Sequence, residues 1–166
     1  GDITLSAEKV AECIETIGLG FMFAPSLHPA MKYVMGVRKS LAIRTVFNIL
    51  GPLCNPAGIK RQVIGVFDEK LTERMAEVLK LLGAKHAMIV HGNDGLDEIS
   101  TTDATKYTEL TPDGEIHSGM LAPHDFGVPV SSPESLLGGE PSENAEIIHS
   151  IIGGEKGSPR DIVVVN

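Results

Sequence analysis

Residues 61–90 constrain the fold more than any other part of this chain. The run RQVIGVF, 61–67, is apolar and rich in β-branched residues, so it reads as a strand. Leu71, Met75, Val78, Leu79 and Leu82 then recur at helical spacing, with Asp68 as the expected cap and Gly83 as the stop. A second short apolar run, HAMIV at 86–90, reads as another strand. A strand, an amphipathic helix and a strand at this spacing form a βαβ unit. Its two strands must be parallel and its crossover right-handed.

The flanks extend this α/β reading. Ser6 begins a helix with Val10, Cys13, Ile14 and Ile17 on one stripe, and Gly18 ends it. GFMFAP, 20–25, is expected to be a short buried strand. His28-Pro29 opens a helix to about Leu41, with Pro29 in the first turn, where its missing N–H costs little. Residues 45–50 allow at most a short helix before a loop of prolines and glycines. Beyond Ser100, 106–110 and 115–121 alternate around Pro112-Asp113-Gly114 and predict an antiparallel hairpin. Ser142 is expected to cap a last helix through about Ile152, and the tail SPRDIVVVN ends on apolar residues. The expected fold is a mostly parallel sheet with flanking helices plus that hairpin.

Charge and composition narrow the function. Fourteen basic against 22 acidic residues give a net charge of −8, which argues against a broad nucleic-acid surface. The segment 32–61 is the exception: it holds Lys32, Arg38, Lys39, Arg44, Lys60 and Arg61 and no acid. Such an island suits either a small bound anion or a solvated helix face. No run approaches the ~20 apolar residues of a membrane helix. The first residues have no signal-peptide pattern and no initiator Met, so the chain is expected to be processed or a piece of something longer. Cys13 and Cys54 form neither a metal spacing nor a disulfide framework, which points to a reducing, cytoplasmic compartment.

The stretch HGNDGLDEIS, 91–100, follows the second strand directly. Ligands of open parallel sheets bind outside the carboxyl ends of the strands. Adjacent Asp97 and Glu98 repel one another, and a cation beside them lowers that cost. Mg²⁺ takes one or two protein carboxylates plus water and phosphate oxygens, so the pair suits magnesium brought by a phosphorylated substrate. A solvent-exposed acidic turn fits the same residues. Arg38 fits the solvent side of its helix, but it neighbours the inward-facing Val34 and Val37 and has no acid within a helical turn; a partly buried Arg there would be partnered by a ligand carboxylate or a distant acid. Asn48, Gly51, Pro52 and Asn55 form a loop whose glycine permits close backbone approach.

In combination, HPAMKYVMGVRKSLAIRTVFNILGPLCNPA, RQVIGVF and VHGNDGLDEIS resemble the anthranilate phosphoribosyltransferases of tryptophan biosynthesis. The resemblance runs from GFMFAP to the GSPRDIVVVN tail. It implies transfer of a 5-phosphoribosyl unit from phosphoribosyl pyrophosphate to the amine of anthranilate, with release of pyrophosphate. It also implies that Arg38 contacts the anthranilate carboxylate, that His28 and Pro52 line the anthranilate channel, and that Asp97 and Glu98 hold Mg²⁺ against pyrophosphate. No residue is expected to act as a catalytic acid or base. The resemblance further implies a homodimer in the full-length family, with no nucleic-acid or membrane partner.

Two family features are missing. There is no GTGGD-type phosphate loop, since Gly138-Gly139 precedes Glu140 and Gly153-Gly154 precedes Glu155. The family's N-terminal helical domain is likewise not expected within residues 1–166. Residues 1–166 are therefore expected to be a truncated α/β phosphoribosyltransferase domain of the nucleoside phosphorylase type, prone to self-association and inactive alone. The rival expectations are a pyrimidine nucleoside phosphorylase-like enzyme and a non-catalytic fragment or interaction module.

Overall fold

A computed structural model describes residues 2–27, 33, 36, 40 and 47–166, in two units divided along the chain between Gly58 and Ile59. In the first unit, helix α1 (Ala7–Ile17) starts where the Ser6 hydroxyl accepts from the Lys9 N–H, and it ends at Gly18. Of its expected stripe only Val10 is buried, and Ile17 stands in solvent. The expected strand at 20–25 does not form. A single helical turn, α2 (Ala24–Leu27), takes its end. Gly20 lies so close to α1 that a Cβ there would meet Ile14 Cγ1 at 2.6 Å, so this stretch folds back along the helix instead of extending into a ladder. Most of the expected helix from His28 to Leu41 lies outside the described residues. Helix α3 (Phe47–Leu53) runs further than expected, through Gly51 and Pro52.

The second unit realises the βαβ prediction. Strand β1 (Arg61–Gly65) pairs in parallel with β2 (His86–Gly92), and α4 (Leu71–Leu81) connects them. Strands β3 (Thr105–Leu110) and β4 (Ile116–Leu121) complete a four-stranded mixed sheet in the order β1-β2-β3-β4, with both later pairings antiparallel. The hairpin turns at Gly114, whose φ of 84° lies in the left-handed region that glycine takes without strain. The parallel portion of the described sheet is thus the single β1/β2 pair. On β2, neighbouring Ile89 and Val90 point to opposite faces and are both fully buried, as expected of a strand covered on both sides.

Helix α4 buries Thr72, Met75, Ala76 and Leu79, a face rotated from the predicted one, leaving Val78 and Leu82 exposed. The reason is chemical. Thr72 donates its hydroxyl to the Glu69 carbonyl at 2.9 Å, so a polar residue can be buried at no unpaired cost. Asp68 is not the residue that caps α4. Its carboxylate accepts from the Lys70 N–H one step earlier, and Lys70 occupies the cap position without a side-chain bond.

After β4 come two 3-10 turns, Pro123–Phe126 and Pro133–Leu136. Helix α5 (Pro141–Ile152) is capped by Glu140, not Ser142. Pro141 fills the first turn, and the Glu143 carboxylate accepts from the Glu140 N–H at 2.7 Å. The tail forms a helix, α6 (Ser158–Val165). Among the described residues no helix is long and apolar enough to cross a membrane. Val63, Leu137, Ile148, Ile152 and Val164 are each more than half exposed.

Candidate functional site

The loop 93–104 leaves the carboxyl end of β2, where an α/β sheet presents its ligand crevice. It is built on Asp94. The Asp94 carboxylate accepts from the Leu96 N–H at 3.1 Å, from the Ser100 hydroxyl at 2.5 Å and from the Thr102 hydroxyl. Burial alone pushes this carboxyl up, but these hydrogen bonds outweigh it and hold its pKa below the usual value. The Gly92 N–H donates to the Leu96 carbonyl at 2.8 Å, and the Ser100 N–H donates to the Thr105 hydroxyl at 2.8 Å. Both ends of the loop are therefore pinned to the sheet.

Asp97 and Glu98 sit between these pins, and both are exposed. Two contacts fix the backbone on which they ride. The Asp97 carbonyl lies against Gly65 at the end of β1, where a Cβ would fall 1.4 Å from the Asp97 oxygen. Asn166 at the end of α6 closes on Ile99. Its Oδ1 accepts from the Ile99 N–H at 2.8 Å, and its Nδ2 donates to the Ile99 carbonyl at 2.9 Å. The ends of β1 and β2 are themselves tied, since the Val66 N–H donates to the Val90 carbonyl and the His91 ring contacts the Val66 carbonyl at 2.8 Å.

Among the described residues neither acidic side chain of the pair has an ion-pair or hydrogen-bond partner. Lys106, the basic residue of β3, is engaged with Glu73 at 3.6 Å. An exposed, unneutralised carboxylate pair on a pinned backbone is a donor set for a hard divalent cation. Among the described residues no cluster of three or more His, Cys, Asp or Glu could hold a metal. Two carboxylates fill only part of a cation's shell, and Mg²⁺ habitually completes such a shell with water or ligand oxygens.

Of the other predicted site residues, His28 and Arg38 lie outside the described residues. Pro52 is half-buried in α3 of the first unit. Three residues that support the loop were not flagged by the sequence pattern. Asp94 had a readable signal, an Asx turn two residues before Leu96. Gly65 and Asn166 had none, because their roles depend on contacts distant in the chain.

The model of the glycosyl transferase family, a/b domain, matches residues 1–166. The anthranilate phosphoribosyltransferase of Alkaliphilus metalliredigens is 51% identical over 165 residues, covering 99% of this chain and 48% of that protein. The solved anthranilate phosphoribosyltransferase of Thermus thermophilus superposes with a TM-score of 0.84 at 40% identity, over 98% of this chain and 47% of that one. The Saccharomyces cerevisiae anthranilate phosphoribosyltransferase in complex with PRPP and Mg gives a TM-score of 0.84 at 29% identity, over 97% of this chain and 46% of that one. The chain spans about half the length of the curated relatives it matches.

Proposed function

This chain belongs to the glycosyl transferase family, a/b domain, and from that premise we propose that it supplies one wall of an anthranilate phosphoribosyltransferase site. The reaction joins the anthranilate amine to the anomeric carbon of phosphoribosyl pyrophosphate and releases pyrophosphate. The observation that carries this reading is the pinned, unpaired Asp97–Glu98 turn at the carboxyl end of the sheet. It occurs in a chain whose relatives carry that activity in their names and one of whose solved relatives holds PRPP and Mg.

The chemistry asks little of an acid or base. An aromatic amine is uncharged at neutral pH and has a free lone pair. The barrier lies in separating pyrophosphate and in bringing the amine to the sugar. Bound at Asp97 and Glu98, Mg²⁺ would neutralise charge on the leaving pyrophosphate. Arg38 would fix the anthranilate carboxylate, and His28 and Pro52 would line the path of the ring. Aligning two bound reactants can lower a barrier by ~7–11 kcal/mol. The phosphate-cradling glycine loop, the helical domain and any homodimer contact would come from the part of the relatives' length that this chain does not span. A cytoplasmic location goes with the free thiols Cys13 and Cys54. Exposed apolar side chains such as Val63 and Val164 favour self-association of the chain on its own.

The test uses a polypeptide of the relatives' full length that carries these residues. Asp97→Asn and Glu98→Gln should raise the Mg²⁺ concentration needed for half-maximal turnover by tenfold or more, an effect on the order of 1.4 kcal/mol, and leave the anthranilate KM little changed. Unchanged magnesium dependence in both variants would refute the assignment.

A further inference from the structure

We propose that Asn166 is a positioning residue for the divalent-cation site, holding the Asp97–Glu98 carboxylates in place through the backbone of Ile99. The inference rests on the reading of that pair as the cation site.

The Asn166 side-chain amide makes three hydrogen bonds. Two go to Ile99, one to its N–H and one to its carbonyl. The third runs from Nδ2 to the Ile162 carbonyl at 2.9 Å, one turn back in its own helix. That third bond matters for the other two. It fixes the amide plane relative to α6, so the two groups presented to Ile99 are oriented before they meet the loop. The N–H that Asn166 receives belongs to the Glu98–Ile99 peptide, one bond from the Glu98 Cα–C axis. Ile99 is only 4% exposed, so water does not readily substitute for Asn166 at its N–H and carbonyl.

The rest of the loop shows why this clamp matters. Upstream of the pair, Leu96 is held by Asp94 and Gly92. Downstream, Ser100 is held by Thr105. Asp97 and Glu98 carry no side-chain bonds among the described residues, so their positions follow from the residues on either side. Ile99 is the downstream anchor adjoining Glu98, and among the described residues the side chain that grips both of its backbone groups is Asn166. Partners of this kind, which orient a metal ligand without touching the metal, typically change affinity by 10–100-fold when removed.

The experiment uses a polypeptide of the relatives' full length that carries these residues. Asn166→Ala removes the clamp. Asn166→Asp keeps its shape but replaces the donor facing two carbonyls with an acceptor. Mg²⁺ affinity in the presence of phosphoribosyl pyrophosphate is measured by calorimetry, and exchange of the Ile99 amide hydrogen is measured without metal. The expected result is roughly tenfold weaker Mg²⁺ binding in either variant, faster Ile99 exchange, and an anthranilate KM within about twofold of the parent once Mg²⁺ saturates. Excess Mg²⁺ should restore turnover, which it would not do for a fold-wide defect.

Asp97→Asn and Glu98→Gln are run in parallel. If they weaken Mg²⁺ binding and the folded Asn166 variants do not, the positioning role is overturned and the cation assignment stands. If they leave Mg²⁺ binding unchanged, the cation assignment falls and takes the positioning role with it. In the unaltered enzyme, an Ile99 amide that exchanges as fast as an exposed one would overturn the clamp without recourse to any variant.

Discussion

Replacing Gly65 with alanine tests how the acidic turn is seated. Gly65 does not have a positive φ, so its backbone conformation is open to alanine and the problem is purely steric. The added methyl carbon would stand 1.4 Å from the Asp97 carbonyl oxygen and 2.4 Å from its carbon. A carbon and a carbonyl oxygen in ordinary contact sit about 3.3 Å apart, so strand and loop must separate by roughly 2 Å. The obstructing atoms are backbone, so no side-chain rotation relieves the clash. Moving the loop outward strains the Ile99–Asn166 bonds at 2.8 and 2.9 Å and the Gly92–Leu96 bond at 2.8 Å. Overpacking of this kind costs about 1–3 kcal/mol, equivalent in a chain of this size to a fall in Tm of about 2–12 °C. The assay is thermal unfolding of the 166-residue chain followed by circular dichroism, with Gly51→Ala as control. Gly51 lies in α3, and a Cβ there meets nothing within 4 Å, so the control should be neutral or slightly stabilising. Equal Tm values for Gly65→Ala and its parent would refute the close approach.

Three further outcomes follow from the same structure. The Asp94 pKa is lowered in the fold, so its contribution to stability is complete above the unfolded value of about 3.9 and is lost as pH falls through the folded value; Asp94→Asn should flatten the acid limb of a Tm-against-pH curve below about pH 4, and identical acid limbs would contradict this. In a polypeptide of full length, Arg38→Ala should raise the anthranilate KM more than that of the sugar donor, and steady-state kinetics with equal losses for both would exclude carboxylate recognition. The 166-residue chain alone, assayed by anthranilate fluorescence with phosphoribosyl pyrophosphate and Mg²⁺, should show no turnover, and robust consumption would contradict the need for a separate phosphate cradle.

Much of the second unit was legible because its signals are local. The βαβ unit declared itself through two β-branched runs around a helical stripe, and Pro112-Asp113-Gly114 located the hairpin. The failures have definite causes. The α4 face was misplaced because Thr72 counts as polar in a pattern, whereas in the fold its hydroxyl is satisfied by Glu69 and it can be buried. The apolar content of 20–25 does not distinguish a ladder strand from a segment lying along α1. Helix starts slipped by two residues each, from Ser142 to Glu140 and from Asp68 to Lys70, since capping residues cluster and only geometry selects among them. At the site, adjacent carboxylates after a buried strand were visible as a motif. Their supports were not: Gly65 and Asn166 act across 32 and 67 positions of sequence, and nothing in either residue's neighbours marks it.

Under the proposed function, Asp97 and Glu98 would hold a divalent cation delivered with the sugar donor. The most direct measurement is an anomalous-scattering map from crystals of a full-length polypeptide carrying these residues, grown with phosphoribosyl pyrophosphate and Mn²⁺ in place of Mg²⁺. The expected result is a peak bridging a carboxylate oxygen of Asp97 or Glu98, directly or through one water, to the pyrophosphate oxygens. A fully occupied ion on the pyrophosphate with neither carboxylate in its coordination or its water shell would contradict it.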